Sequence, residues 1–334
     1  MIIINFFINW SLTNKLDYYE KQTISLIAAF GLVATVHAVE IDDKISINGF
    51  IDGSWTDTDK STGDENDLDI DEVELNFIVN ARNVSGEIHI DDNDPGSDLD
   101  NIEQAHFTYT MGNGLSVTLG RFGFALGFEG EDPAGLYTFS RAYDDNVLAD
   151  GDSTGFYNLG NTDVLAVEGL SFGYSADAFT IALSVLNEIE QLEEQGANND
   201  DLDLEVAITY TDIEDLVIGA GIHSREGLTA ADEIDVTNLH AAYSMVKLMV
   251  AGEYVNVDTQ AVDRCAYLIF ADYDIKDRLG VAARYSQWES LVDGTELDRV
   301  TIAPNYAITE SLGAILEYSS TETAAGTDED QLAL

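Results

Sequence analysis

Basic residues are scarce in this chain: 14 Lys and Arg stand against 63 Asp and Glu, giving a formal net charge of −49 at pH 7. A protein of this charge repels phosphates, which excludes nucleic acid as a partner. Acidic disordered segments are poor in aromatic residues, whereas this chain has 15 Tyr, 14 Phe and 3 Trp and is 45% hydrophobic. The composition therefore predicts a large folded body, compatible with a saline habitat or with a pathway that attracts cations.

Cysteine, proline and long apolar runs are also nearly absent. The single cysteine, Cys265, excludes an intrachain disulfide, and only three prolines occur in 334 residues, as expected for a chain that is mostly paired strand. Beyond residue 38 no apolar run approaches the roughly twenty residues of a spanning helix. G-x-S-x-G, H-E-x-x-H and paired-cysteine motifs are missing and the histidines are scattered, so we expect no enzymatic activity.

The N-terminal region has the form of an export signal. Lys21 precedes an apolar run from Ile24 to Val36, which ends in Val36-His37-Ala38. This pattern predicts a Sec-type signal peptide cleaved after Ala38, because the run is too short to span a bilayer. Residues 1–20 look like an upstream extension. We therefore expect 1–38 to be removed and 39–334 to form the folded protein.

From Lys44 onward, apolar and polar residues alternate with period two in segments of eight to twelve residues. About fifteen such segments occur, and a sixteenth begins at Gln331 and is cut short at Leu334. Tight turns alternate with long loops rich in Asp, Gly, Thr and Asn, and tyrosines recur near segment ends. Segments of this length suit tilted strands crossing a hydrocarbon layer. The pattern predicts an all-β, transmembrane antiparallel barrel of about sixteen strands.

One stretch departs from the alternation. Residues 115–145 open as a strand and continue as a Gly-, aromatic- and acid-rich segment, and regular alternation returns only near Val164. A stretch of this length without the alternation typical of a strand is uncommon in a compact soluble domain. Inside a wide barrel, it can fold into the lumen and narrow it. We therefore expect an inward-folding constriction loop, with an ordinary surface loop of solvated acids as the alternative.

The sequence of this stretch, GRFGFALGFEGEDPAGLYTFSRAY, resembles the OmpL-like porins of the beta-barrel porin-2 type. Those proteins have a Gly-Arg strand end, a Gly-Glu loop and a Phe-Ser-Arg-x-Tyr element. The resemblance implies a Gram-negative outer-membrane channel for small hydrophilic solutes, in contact with membrane lipid and lipopolysaccharide. It also suggests a homotrimer.

Charged residues in two places are candidates for controlling permeation, because rings of charge select ions by sign. The predicted constriction contains Glu129, Glu131, Asp132, Arg121, Arg141, Asp144 and Asp145. A charge facing lipid costs a few kcal/mol, so charged residues on strands are expected to face the lumen: Glu72, Glu74, Glu87, Asp203, Glu205, Lys247, Glu253, Arg284, Arg299 and Glu317. Together with the net charge, these residues predict a preference for cations.

The acidic loops admit a different function. Neither Asp57–Leu68 nor Asp91–Ile102 fits the EF-hand pattern, but loose binding of Ca²⁺ or Mg²⁺ at extracellular loops remains an open alternative to solvated acids. No cofactor is otherwise implied. An exported soluble or surface β protein that binds divalent cations or glycans through these loops is the competing interpretation of the whole chain.

Overall fold

The described part of the chain forms sixteen antiparallel barrel strands, as the alternation predicts. The computed structural model describes residues 2–4, 39–40, 44–60, 63–92, 102–128, 137–142, 166–187, 202–225, 233–259, 263–290, 296–323 and 328–334. The predicted signal peptide lies outside the described residues. In the described ranges, no helix is long and apolar enough to cross a membrane.

The strands follow one another around the barrel in chain order. They are β1 Ile45–Lys60, β2 Glu65–Ala81, β3 Val84–Asp92, β4 Ile102–Thr110, β5 Leu115–Gly123, β6 Ala166–Ser175, β7 Phe179–Asn187, β8 Leu202–Tyr210, β9 Leu216–Arg225, β10 Ile234–Met245, β11 Leu248–Thr259, β12 Asp263–Lys276, β13 Leu279–Ser290, β14 Glu296–Ala307, β15 Leu312–Ile315 with Glu317–Thr323, and β16 Asp328–Ala333. β16 pairs with residues 56–60 of β1, which closes the sheet. The predicted sixteen-stranded barrel is confirmed.

Two short strands and one interruption complete the sheet. Ile2–Ile4 pairs with the start of β15, and Val39–Glu40 pairs with β1. β15 is interrupted at Leu316, whose N–H donates to the carbonyl of Pro304 on β14 at 2.9 Å. Because proline has no N–H to return, the ladder cannot continue through this pair.

The barrel is apolar outside and polar inside, which is the reverse of a soluble protein. Large apolar side chains are exposed on the outer face, and Ile269 of β12 has 64% of its surface exposed. Buried polar side chains line the interior on strands from β1 to β15, among them Asp52, Glu74, Glu205, Asn238, Arg284, Thr301 and Glu317. Such an outer face requires lipid as its surroundings. It is inconsistent with the competing interpretation of an exported soluble protein.

Tyrosines mark two levels of the outer face. One group ends the strands that lead into the tight turns, namely Tyr109, Tyr174, Tyr210, Tyr243, Tyr273 and Tyr306. A second group lies on the outer face several residues away from the tight turns. In this group Tyr254 of β11 pairs with Tyr267 of β12, and Tyr285 and Tyr318 lie on β13 and β15. Aromatic residues at two levels match the two girdles that anchor a barrel at the membrane interfaces.

A glycine allows the close pairing of β4 and β5. Gly120 has φ +135°, and a Cβ there would lie 2.2 Å from the carbonyl oxygen of Ala105. We expect Gly120→Ala to destabilise the barrel by about 1–3 kcal/mol, because both backbone strain and a backbone clash must be accommodated. Urea unfolding of lipid-refolded protein measures this effect. The matched control is Gly86→Ala on β3, whose Cβ would lie 3.6 Å from the nearest atom; equal unfolding midpoints for the two variants would contradict the prediction.

Candidate functional site in the barrel interior

The chain leaves β5 and enters the barrel interior, where residues 124–128 and 137–142 contact inward-facing side chains. The N–H of Ala125 donates to Oε1 of Glu205 on β8 at 2.9 Å. Three residues later, the N–H of Phe128 donates to Oε1 of Glu253 on β11 at 2.7 Å. Because this stretch has no strand partner, its backbone donors need acceptors from the wall. Two lumen carboxylates supply them.

Glu317 of β15 holds the second part of the segment. Its two carboxylate oxygens accept hydrogen bonds from the N–H groups of Phe139, at 2.6 Å, and Ser140, at 3.0 Å. The Glu317 residue is 0% exposed. Hydrogen bonds to an ionised acceptor are about twice as strong as neutral ones, so this carboxylate fixes residues 139 and 140 against the wall.

Two arginines on neighbouring strands hold the same stretch. Arg284 of β13 donates to Oγ1 of Thr138 at 3.1 Å and to Oγ of Ser140 at 2.9 Å. Arg299 of β14 donates from Nη1 to the carbonyl of Arg141 at 3.0 Å. With Glu317, these side chains form what we call the β13–β15 clamp: Arg284, Arg299 and Glu317. The clamp thus binds one stretch of the segment with side chains of both charges.

Aromatic packing fills the space between these polar contacts. Phe128 and Tyr137 lie against Phe270 of β12, with ring centroids 6.2 and 5.4 Å away. Phe124 meets His223 of β9 edge to face at 5.7 Å. The inner faces of β10 to β12 carry buried apolar residues such as Val236, Val255 and Leu268, which suit these rings. The segment is therefore packed against the wall from β8 to β15.

The wall formed by β1 to β4 carries a different surface. Most of its buried inward-facing residues are polar or acidic, among them Asp52, Ser54, Glu74, Asp91 and Glu103, while Phe50 is buried on the same face of β1. His89 of β3 lies among them, with Nδ1 3.3 Å from Oε1 of Glu74. The interior thus has an apolar and clamp side that holds the segment, and an acidic side formed by β1 to β4.

Nine of the ten predicted lumen residues lie on the inner face of the barrel. Those on the inner face are Glu72, Glu74, Glu87, Asp203, Glu205, Glu253, Arg284, Arg299 and Glu317. Lys247 is the exception, since it lies exposed in the two-residue turn between β10 and β11. The predicted strand position of Lys247 is corrected because β11 begins only at Leu248, so that Val246 and Lys247 form the turn.

Among the predicted constriction residues, two are described. Arg141 lies in the inward segment, where its carbonyl accepts from Arg299. Arg121 instead shares the outward face of β5 with Leu115 and Leu119 and stands opposite Glu168 of β6, which corrects its predicted place in the constriction. The remaining five, Glu129, Glu131, Asp132, Asp144 and Asp145, lie outside the described residues.

Some interior residues escaped the sequence reasoning. Thr138 and Ser140 bind Arg284, yet nothing in their sequence pattern distinguishes them from loop residues. Glu103 turns inward because the β3–β4 register shifts between His89 and Ile90, and a β-bulge of this kind cannot be seen in a period-two pattern. His89 could have been found, because it shares one face of β3 with Glu87 and Asp91. His223 could not, because its acidic neighbours Asp203 and Glu205 lie on β8.

The sequence matches the model of a family described as Gram-negative porin over residues 24–326. No curated protein matches the chain in sequence. Among solved structures, the channel DcaP of Acinetobacter baumannii is 14% identical with a TM-score of 0.60, covering 92% of this chain and 99% of that one. The in-vitro folded OmpT of Vibrio cholerae, in trimer form, is 13% identical with a TM-score of 0.59, covering 87% and 98%. These two likenesses show the fold.

The family match extends far beyond the stretch that carries the resemblance, and it agrees with the closed barrel, the apolar outer face and the polar interior described above. It confirms the expectation of an outer-membrane porin. The chain belongs to the Gram-negative porin family and forms an outer-membrane channel.

Proposed function

We propose that this porin is a passive diffusion channel for small hydrophilic solutes that prefers cations, and that the segment between β5 and β6 narrows its passage. The observation that carries the proposal is the attachment of residues 124–128 and 137–142 to Glu205, Glu253 and the β13–β15 clamp. Both described parts of the segment are held against one side of the interior. Solutes would pass between the segment and the acidic wall formed by β1 to β4.

Cation preference follows from the distribution of charge. The formal charge of −49 raises the local concentration of cations at the mouth. Inside, Asp52, Glu74, Asp91 and Glu103 are buried on the β1–β4 side. The acids at positions 129, 131 and 132 belong to the stretch of sequence that connects the two attached parts of the segment, and we infer that they face the passage. A negative ring at a narrow point favours cations over anions.

The decisive experiment is the reversal potential of single channels in a KCl gradient across a planar bilayer. Wild-type protein is expected to give discrete conductance steps and a cation-selective potential. In the triple variant E129Q/E131Q/D132N, we expect the permeability ratio of K⁺ to Cl⁻ to fall severalfold, because three negative charges of the proposed constriction are removed with little change in side-chain size.

The matched control removes three acids at the rim. Asp57, Asp59 and Asp67 are exposed near the loop between β1 and β2, and D57N/D59N/D67N is expected to leave the permeability ratio near that of wild type at high salt, where surface charge is screened. Equal effects of the two triple variants would contradict a constriction at 129–132. Absence of any channel from folded protein would contradict the diffusion function as a whole.

The proposal extends to assembly and export. The OmpT structure is described as a trimer form, and we infer a homotrimer here, inserted in lipid and lipopolysaccharide after removal of residues 1–38. Sedimentation of detergent-solubilised protein should give the mass of three chains, and N-terminal sequencing of the exported protein should begin at Val39.

A further inference from the structure

Three adjacent strands bring two carboxylates and an imidazole together on the acidic wall. Glu74 lies on β2, His89 on β3 and Glu103 on β4, and their ligand atoms all lie within 4.8 Å of one another. Nδ1 of His89 is 3.3 Å from Oε1 of Glu74 and 3.8 Å from Oε2 of Glu103. These three side chains are called the His89 cluster below. The backbone of the inward segment is attached to other strands, namely β8, β11, β14 and β15.

The other ring nitrogen of His89 determines what the cluster can bind. Nε2 lies 3.3 Å from Oε2 of Glu87 on the same strand, and a proton on Nε2 satisfies this contact. In the tautomer with its proton on Nε2, the lone pair of Nδ1 faces Glu74 and Glu103, which is the arrangement that a metal ion requires; with a proton on Nδ1 as well, the same side chains form an ion pair. A carboxylate that orients a histidine in this way is the usual outer partner of a metal-bound imidazole.

Glu74 supplies the second, independent observation. Only 3% of its surface is exposed; among the described residues no donor meets hydrogen-bond geometry at either carboxylate oxygen, and Nδ1 of His89 lies 3.3 Å from Oε1. Burying an ionised carboxylate without such donors costs several kcal/mol. A positive charge at the centre of the cluster would compensate this cost, so the geometry of Glu74 points to a cation.

Glu103 reaches the cluster through an irregularity of the sheet. His89 pairs with Gln104 and Ile90 pairs with Ile102, which leaves Glu103 as the extra residue of a β-bulge. The bulge directs Glu103 inward, where it is buried. Bulges re-aim side chains in this way next to functional sites.

We propose that Glu74, His89 and Glu103 bind a divalent cation of the zinc class, with Glu87 orienting the imidazole and water completing the shell. Two carboxylate oxygens and one imidazole nitrogen are a donor set that Zn²⁺ accepts, whereas Ca²⁺ takes oxygen ligands. Ligand atoms around a tetrahedral ion with bonds of about 2.0–2.1 Å lie about 3.4 Å apart. The two distances from Nδ1 of His89, 3.3 and 3.8 Å, are close to this value, and all three ligand atoms lie within 4.8 Å of one another, so the carboxylates need to move inward by at most about 1–1.5 Å.

The test is direct metal binding by the full-length refolded protein in detergent, after treatment with a chelator. Calorimetric titration with Zn²⁺ is expected to show one site per chain that excess Ca²⁺ does not displace, and Co²⁺ is expected to give visible absorption bands from the same site. His89→Gln and the double variant E74Q/E103Q should lose both signals. Glu87→Gln should weaken binding about 10–100-fold, since it removes only the orienting carboxylate.

The matched control is His240→Gln on β10, where the histidine hydrogen-bonds to Asn238 at 2.9 Å and stands opposite Glu253 in the strand pairing, but belongs to no three-ligand group found among the described residues. Its affinity for Zn²⁺ should equal that of wild type. Two results would overturn the site: no Zn²⁺ binding by the wild-type protein, or equal losses of binding in H89Q and H240Q. If the wild-type protein does not bind Zn²⁺, a proton on Nδ1 of His89 takes the place of the cation. If H89Q fails to regain heat-modifiable mobility on a gel, E103Q provides the same comparison. Because binding is measured without conduction, the result is independent of the proposed channel function.

Discussion

Replacement of Glu317 by alanine is expected to detach residues 137–142 from the wall and to raise single-channel conductance with larger current fluctuations. The two N–H groups that Glu317 accepts would lose their acceptor in a buried place, and each unsatisfied buried donor costs about 1–3 kcal/mol. Arg284 binds the same stretch through the hydroxyl groups of Thr138 and Ser140, which do not replace the acceptor that the two N–H groups lose. The segment should therefore move away and widen the passage.

Two variants make this expectation specific. Glu317→Gln keeps the side-chain shape and one acceptor oxygen, so its conductance should lie between those of wild type and E317A. Ser319→Ala alters the next inward-facing, buried residue of β15 and should leave conductance unchanged. Planar-bilayer recordings of protein with native heat-modifiable mobility provide the measurement. Wild-type conductance and noise in E317A would show that Glu317 does not restrain the segment.

Lysine at position 269 is expected to destabilise the barrel by about 2–4 kcal/mol, the cost of a charge at the middle of the lipid-facing surface. Ile269 lies on the outer face of β12 between Tyr267 and Tyr273, which belong to the two girdle levels. The control is Val246→Lys, in the turn between β10 and β11, where the side chain is 99% exposed and the added charge meets water.

Equilibrium unfolding in urea, with lipid vesicles present, measures both lysine variants. I269K should shift the transition to lower urea, while V246K should match wild type. Equal transitions for the two variants would mean that position 269 does not face lipid, and would contradict the assignment of the outer surface. A lysine at an inward position is not comparable, because water reaches parts of the interior.

The acids of the interior fall into two groups with different tasks. Glu205, Glu253 and Glu317 were expected from the sequence to contribute to the field in the pore, yet each accepts backbone N–H groups of the inward segment. Their charge is therefore largely used in holding that segment. The field that acts on permeating ions would come from the segment acids at 129, 131 and 132 and from the β1–β4 wall.

The sequence by itself determined the barrel, its strand number and most inward-facing positions. Alternation is a local property, because successive side chains of a strand point to opposite faces whatever the strand's neighbours are. The same rule, applied to Arg121 through its two-residue spacing from Leu119, would also have placed that arginine outward. Sequence proximity to the acids of the loop suggested otherwise.

Only the tertiary structure decided which residues meet inside. Glu317 and Phe139 are 178 positions apart, and their contact depends on closing fifteen strand pairings before β16 returns to β1. The cluster around His89 depends in addition on a one-residue bulge that turns Glu103 inward. Period-two patterning specifies the face of each side chain, whereas strand register and barrel closure specify its partners, and these arise from pairing between segments that the pattern treats separately.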